Sequence, residues 1–315
     1  MNDRARRLVS LARLVVTLVA VGLVVVLVDV RAVGTRLGQL DARYLTLFLL
    51  LSIPLYLLAA WRWHFSAARV GAPLGFQHAY FDYYLSTLLN QVLPVGVAGD
   101  VVRAARHRRR LRNDSSDGPV VPGSAARAVI LERLSGFVAL TLFVIASALV
   151  WLGRGQRTLV LRGAGGLLLL VVVGALVVRW LGRRSPESWL AALARDGRKA
   201  LFADGALPVQ LGLSTAHVAL LLAMFACAAR ATGVSLDLLT VVQVVPPVLA
   251  CTTVPWAFAG WGVREASTAA LYGLMGLDVA SGVAVSVSFG LLSLLAAAPG
   301  LLVLGLAYRD RRRGP

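Results

Sequence analysis

The sequence predicts an all-α, polytopic integral membrane protein: about six full spans plus two re-entrant broken-helix hairpins in an inverted repeat. Three observations carry that prediction. Several apolar runs have membrane-spanning length, basic residues gather between alternate runs, and two Pro/Gly-interrupted segments share one spacing. Of the 315 residues, 58% are hydrophobic and 15% charged, against roughly a quarter charged in soluble domains.

The apolar runs are 14–28, 45–60, 129–152, 163–178, 209–229 and 279–307. They approach or exceed the ~20 residues that carry a helix across a bilayer. No stretch between them is long enough for a second, soluble domain, so residues 1–315 read as one transmembrane domain. The first run follows Arg4, Arg6 and Arg7 but lacks a small-residue cleavage site. It reads as a retained anchor, with Asp29 at its outer end.

A net charge of +17 would point to nucleic acid in a soluble protein. Here its placement sets topology, and no nucleic-acid partner is expected. Most Lys and Arg residues cluster at the N-terminus, around Arg62 and Arg69, over 106–112, over 179–199 and over 309–313. The opposite loops hold only Arg31, Arg36, Arg43, Arg154, Arg157, Arg162 and Arg230. The positive-inside rule then puts both termini in the cytoplasm of a multi-pass cytoplasmic-membrane protein. Anionic headgroups would hold the basic loops at the surface.

Cys227 and Cys251 fall in apolar stretches and read as small buried residues. His64, His78, His107 and His217 show no ligand spacing. Neither a metal nor another cofactor is expected.

Two regions interrupt the pattern. The first, 76–105, contains Pro94, Gly96 and Gly99 before Asp100 and Arg103. The second, 236–276, carries Pro246, Pro247, Pro255, Gly260 and Gly262 before Arg264 and Glu265. Proline removes a backbone donor and glycine is a weak helix former, so neither region is expected to be one straight helix. Broken backbone at membrane depth survives only when buried in protein or lining a polar cavity. Between these regions, 112–124 reads as a mobile loop. Residues 187–203 read as an interfacial helix with Trp189, Leu193 and Leu201 on one face, although an ordinary connector fits equally.

The first break reads PVGVAGDVVR from Pro94 to Arg103, and the second PWAFAGWGVR from Pro255 to Arg264. Each has glycine five residues and arginine nine residues after the proline. The copies lie about half the chain apart. With six full spans, the two hairpins would enter from opposite sides, as an inverted-topology repeat requires, and transporters often bind substrate where such repeats meet.

Ionisable residues within apolar segments cost ~2.5–3.5 kcal/mol each and so call for partners or water. Asp100 and Arg103 can meet on one helical face. Glu132 and Arg133 are adjacent and should reach different partners, Glu132 a hairpin arginine. Arg264 and Glu265 carry the same constraint. Fixing hairpins against neighbours is the plain role for these charges. The functional role gives Arg103, Arg133 and Arg264 forked donors for an anionic headgroup. Asp100, Glu132 and Glu265 would hold those arginines or bind a cation or proton, with Asn90 and Gln91 adding neutral hydrogen bonds. Trp61 and Trp63, and Tyr80, Tyr83 and Tyr84 beside Asp82, read as interfacial belts. Trp256 and Trp261 flank the second break and read as packing.

The segments NQVLPVGVAGDVVRA (90–104), LERLSGF (131–137) and AGWGVREAS (259–267) together resemble the flippase-like transmembrane family, named for the transmembrane region of lysylphosphatidylglycerol synthase. Their order and the hydropathy of almost the whole chain agree with it. Asn90, Pro94, Gly99, Asp100, Arg103, Glu132, Arg133, Gly260, Gly262, Arg264 and Glu265 match the family pattern. Glycine pairs common in the family read Ala98-Gly99 and Ala259-Gly260 here. The resemblance implies a lipid-handling membrane domain whose partners are lipids with polar, anionic or phosphate-bearing headgroups. No aminoacyl-transferase domain is recognised, so the sequence is not expected to make lysyl-lipid by itself.

The leading expectation is therefore a lipid flippase or transporter without bond-making chemistry. No G-x-x-x-x-G-K-[ST] phosphate loop occurs, which argues against direct ATP drive. An integral-membrane lipid-modifying enzyme is disfavoured because the buried acids are separated and each lies near an arginine. An accessory subunit for a cell-envelope enzyme is the third reading. Cargo, energy source and oligomeric state are open at this point.

Overall fold

A computed structural model describes residues 30–93, 96–114, 121–158, 160–161, 189–253 and 260–312. Every element within them is helical. A short helix α1 (Val30–Gly38) precedes α2 (Ala42–Arg69), α3 (Phe76–Val92), α4 (Ala98–Asp114) and α5 (Ser124–Gly153). After the connecting α6 (Trp189–Leu201) come α7 (Ala206–Ala231), α8 (Leu238–Thr253), α9 (Val263–Leu274), α10 (Val279–Ala296) and α11 (Gly300–Arg312).

Among the described residues, four helices are long and apolar enough to cross a membrane: Ala42–Arg69, Ser124–Gly153, Ala206–Ala231 and Val279–Leu306. The last is α10 continued by α11 through a turn at Ala297–Pro299. These correspond to four of the six expected spans. The other two, at 14–28 and 163–178, lie outside the described residues, as do Asp29, Pro94, Pro255 and Trp256. α2 has 28 residues, ~42 Å at 1.5 Å per residue. It runs past the expected end at Ala60 because Arg62 and Trp63 face the interior rather than a loop.

The outward faces of these helices are apolar. Leu50, Leu57, Leu142, Leu149 and Leu302 are exposed, which water would oppose and lipid tails would not. The interior is built on Phe48, Trp63, Phe225 and Phe289. Phe289 meets Phe48 at 5.8 Å and Phe225 at 5.5 Å between ring centroids.

One order of elements occurs twice. A long helix, two short ones and a long one run as α2, α3, α4, α5, with 28, 17, 17 and 30 residues. The same order runs from α7 through α8 and α9, with 26, 16 and 12 residues, to the 28-residue span that begins with α10. Within each set the short helices pack on one another: α3 on α4, and α8 on α9. Both sequence breaks fall between short helices, at 93–97 and 254–262.

The loop expected over 112–124 is narrower than that, because α4 continues through Asp114 and α5 begins at Ser124. Helix α6 falls inside the segment 187–203 and is tied down. Asp196 accepts from Arg127 Nε at 2.6 Å, and Gly197 backs onto Leu131.

Candidate functional site

The interior polar site starts from one close approach. At Gly99 the first turn of α4 passes the backbone carbonyl of Ser86 on α3, so closely that a β-carbon on residue 99 would overlap that oxygen. Asn90 secures the crossing by accepting the Gly99 N–H at 2.8 Å. Gln91 donates to Ser293 O at 3.1 Å, joining α3 to α10. In the Ala98-Gly99 pair, Gly99 is thus the position at which glycine is required.

This crossing places Asp100 and Arg103 opposite α5. Arg103 Nε donates to Asp100 Oδ1 at 3.0 Å and Arg103 Nη2 to Glu132 Oε2 at 2.7 Å. Arg62 reaches Glu132 from α2, with Nη2 at 3.1 Å from Oε1. Tyr83 donates to the same oxygen at 3.4 Å. Arg103 and Glu132 are each about 1% exposed at their side chains. Taking such charges out of water costs several kcal/mol per ion, so the pairing and the extra hydrogen bonds are needed to hold them. The Arg103 guanidinium also lies 4.8 Å from the ring centres of Trp63 and Tyr83, a favourable cation–π geometry.

Arg133 completes the cluster from its rim. Its Nη2 donates to Asp100 Oδ1 at 2.9 Å, yet its side chain is 49% exposed. Asp100 also accepts from Ser86 and Asn90. Among the described residues, the guanidinium groups of Arg62, Arg103 and Arg133 thus face only the carboxylates of Asp100 and Glu132. The cluster carries one more cation than anion.

Four residues of LERLSGF now have a physical role. Glu132 points inward to the arginines and Arg133 outward to the rim, as adjacent helical positions must. Ser135 Oγ accepts from Arg62 Nη2 at 3.3 Å. Gly136 leaves the space in which that nitrogen lies, since a β-carbon there would come within 2.5 Å of it.

The second break is built differently. Gly262 adopts φ +79° at the start of α9, in the left-handed region where a side chain is strained. Its N–H donates to Glu265 Oε2 at 2.7 Å. Arg264 then donates to Glu265 Oε1 through Nε at 3.0 Å and Nη2 at 2.7 Å. This corrects the expectation that these neighbours cannot meet. Glu265 folds back to cap its own helix, which brings its carboxylate to the helix end within reach of Arg264. Ser286 on α10 bonds both side chains at 3.1 Å. Trp261 stacks on the guanidinium at 4.8 Å, while Gly290 gives it room on α10.

The site residues expected from sequence therefore fall into two groups. Asn90, Asp100, Arg103, Glu132 and Arg133 share one cluster. Arg264 and Glu265 form a closed pair on other helices, with Gly260 and Gly262 (both at positive φ) beside them. Gly96, also at positive φ, precedes α4. Several sequence readings are corrected here. Trp63, Tyr83 and Tyr84 are buried rather than interfacial: Trp63 and Tyr83 because Arg103 and Glu132 draw aromatic and phenolic partners inward, and Tyr84 because it packs on Tyr56 and Tyr80. Arg62, read as a cytoplasmic loop charge, is 3% exposed and bound to Glu132. Cys251 is exposed, on an outward face of α8, whereas Cys227 is buried. Arg62, Trp63, Tyr83 and Ser86 are the cluster members that sequence reasoning missed. The available signal was an arginine between tryptophans that directly continues an apolar run. Among the described residues, no group of three His, Cys, Asp or Glu side chains could hold a metal ion.

Long apolar helices enclosing a paired charge cluster define a helical integral membrane protein. The chain belongs to the lysylphosphatidylglycerol synthase transmembrane-region family, whose model matches residues 10–300. That membership makes it a membrane protein related to lipid handling. A search of the curated proteins finds no match.

Proposed function

We propose that the protein is a lipid flippase or transporter that moves a lipid with a polar or anionic headgroup across the cytoplasmic membrane. The carrying observation is the Arg133 guanidinium. It is half-exposed, bonded to Asp100 through one nitrogen, and set at the rim of a cluster with an unmatched positive charge. Five N–H donors in a fixed fork match a phosphate or carboxylate, so an anionic headgroup would complete what the protein leaves open. Arg103 and Glu132 are buried, bound to one another and to Asp100, Arg62 and Tyr83, and serve as the support behind it.

In this reading the pairs α3–α4 and α8–α9 are re-entrant hairpins of an inverted repeat, and both termini are cytoplasmic. The recurrence of long, short, short, long elements supports it, together with the Pro-Gly-Arg spacing at both breaks. Membership of the lysylphosphatidylglycerol synthase transmembrane family supports a lipid as cargo.

The test is reconstitution in liposomes carrying labelled anionic, zwitterionic and aminoacylated lipids. Movement of one class, lost in Arg133→Ala while thermal stability is kept, is the expected result. Failure to move any of these lipids, with and without a proton gradient, would sink the transporter reading and favour an accessory role. Conversion to a new lipid species by the pure protein would make it an enzyme.

A further inference from the structure

Helix α4 carries two functional faces. Asp100, Arg103, Arg106 and His107 turn inward. On another face, Val101, Ala105, Arg108 and Arg112 follow one another at helical spacings of three or four. This second face walls a cleft of about 820 Å³ that opens against residues 121–126 at the start of α5.

The chemistry of the cleft is one-sided. Arg108 and Arg112 are both exposed, and among the described residues no carboxylate lines it. The opposite wall is the N-terminus of a 30-residue helix whose cap, Gly123, supplies no side-chain hydrogen bond. Such a terminus favours anions. Ser124, which also lines the cleft, is 1% exposed, and its hydroxyl has no hydrogen-bond partner among the described residues. A buried hydroxyl without a partner is destabilising, so it marks a place where a ligand acceptor is wanted. The wall is firm: Arg127 ties the first turn to Asp196 and to Pro122 O. Val101 and Val121 are exposed beside these donors and offer apolar surface to an acyl chain.

We propose that this cleft binds the phosphodiester headgroup of an anionic phospholipid, with Arg108, Arg112 and the Ser124 hydroxyl as donors. The proposal rests on the lipid-transport reading for its purpose but not for its residues, since none of its donors belongs to the Arg133 cluster. It gives the protein a second lipid site, at the basic end of α4, where a headgroup would be held before reaching the interior.

The experiment is native mass spectrometry of the full chain titrated with phosphatidylglycerol, phosphatidylcholine or inorganic phosphate. The expected result is preferential phosphatidylglycerol binding that weakens about tenfold in Arg108→Ala/Arg112→Ala, the scale of losing charge-assisted contacts. The Arg108→Lys/Arg112→Lys protein should recover most of it, which excludes misfolding as the cause. Ala105→Phe, which fills the cleft without changing charge, should also weaken the lipid. Unchanged affinity in the double alanine variant overturns the assignment. Displacement of the lipid by equimolar inorganic phosphate overturns it in favour of a free-phosphate site. Arg133→Ala separates the two readings. Equal weakening of phosphatidylglycerol by Arg133→Ala overturns the cleft assignment. Transport unaffected by Arg133→Ala overturns the headgroup role of Arg133 and leaves the cleft standing.

Discussion

Arg62 closes on Glu132 twice, with Nη2 at 3.1 Å from the carboxylate Oε1 and 2.6 Å from the same residue's backbone oxygen. One nitrogen thereby joins α2 to α5 at a point where neither side chain reaches water. Removing one partner of a buried pair leaves an uncompensated charge, at a cost of ~3–5 kcal/mol. Glu132→Ala should lower stability by that order in detergent, read by thermal unfolding. Adding Arg62→Met should cost less than its effect alone, because the charge it removes is already unpaired. Additive losses would show that the two residues are not coupled.

The crossing of α3 and α4 makes a steric prediction. Gly99→Ala would place a β-carbon on the Ser86 carbonyl, backbone against backbone, and should cost at least the ~1–3 kcal/mol of ordinary overpacking. Gly212→Ala is the control, since nothing lies within 4 Å of its β-position. Helix propensity alone should make that change favourable by up to ~1 kcal/mol. Equal unfolding temperatures for the two variants would contradict the close approach.

Arg133 should behave unlike Arg103 despite sharing Asp100 with it. Its side chain is half-exposed, so Arg133→Ala should change stability by only ~0–1 kcal/mol. Arg103→Ala takes one of two arginine partners from the buried Glu132 and should cost several times more. Melting curves of the two proteins, measured beside transbilayer lipid movement, check both the ranking and the separation of stability from activity.

Asp278 gives a pH signature at the end of α10. Its carboxyl is held below the usual carboxylate range, chiefly by the Ser281 hydroxyl and then by the N–H groups of Ser281 and Ala280. A depressed folded value contributes stability above the unfolded value, ~3.9, and loses it as pH falls through the folded one. Wild-type protein should therefore lose more stability than Asp278→Asn as pH falls below the ordinary carboxylate range. Replacing the cap by alanine at neutral pH should cost ~0.5–2 kcal/mol. Parallel pH profiles for the wild type and Asp278→Asn would remove the cap from the account.

The class of the protein and its three motifs were legible in the sequence because a bilayer forces long apolar runs and punishes stray charge. Asp100 with Arg103 could be paired by helical spacing. The partnership of Glu132 with Arg62 could not, because it crosses from one long helix to another and Arg62 looks like an ordinary positive-inside residue. Trp63 and Tyr83 misled for a related reason: aromatic residues beside charges suit both an interface and a buried guanidinium. Adjacency misled at Arg264 and Glu265, where a capping side chain turns back along the chain against the direction of its helical face. Gly136 and Gly290 acquired meaning only once the guanidinium groups lying on them were seen.

The unmatched guanidinium among Arg62, Arg103 and Arg133 has an electrical consequence. On the proposed reading, an empty cluster enters the membrane's field with a surplus positive charge, and a monoanionic headgroup cancels it. One elementary charge carried fully across is worth ~2.3 kcal/mol per 100 mV. Voltage would then act on the unloaded protein and barely on the loaded one, so membrane potential would govern how fast the carrier resets rather than how fast it delivers.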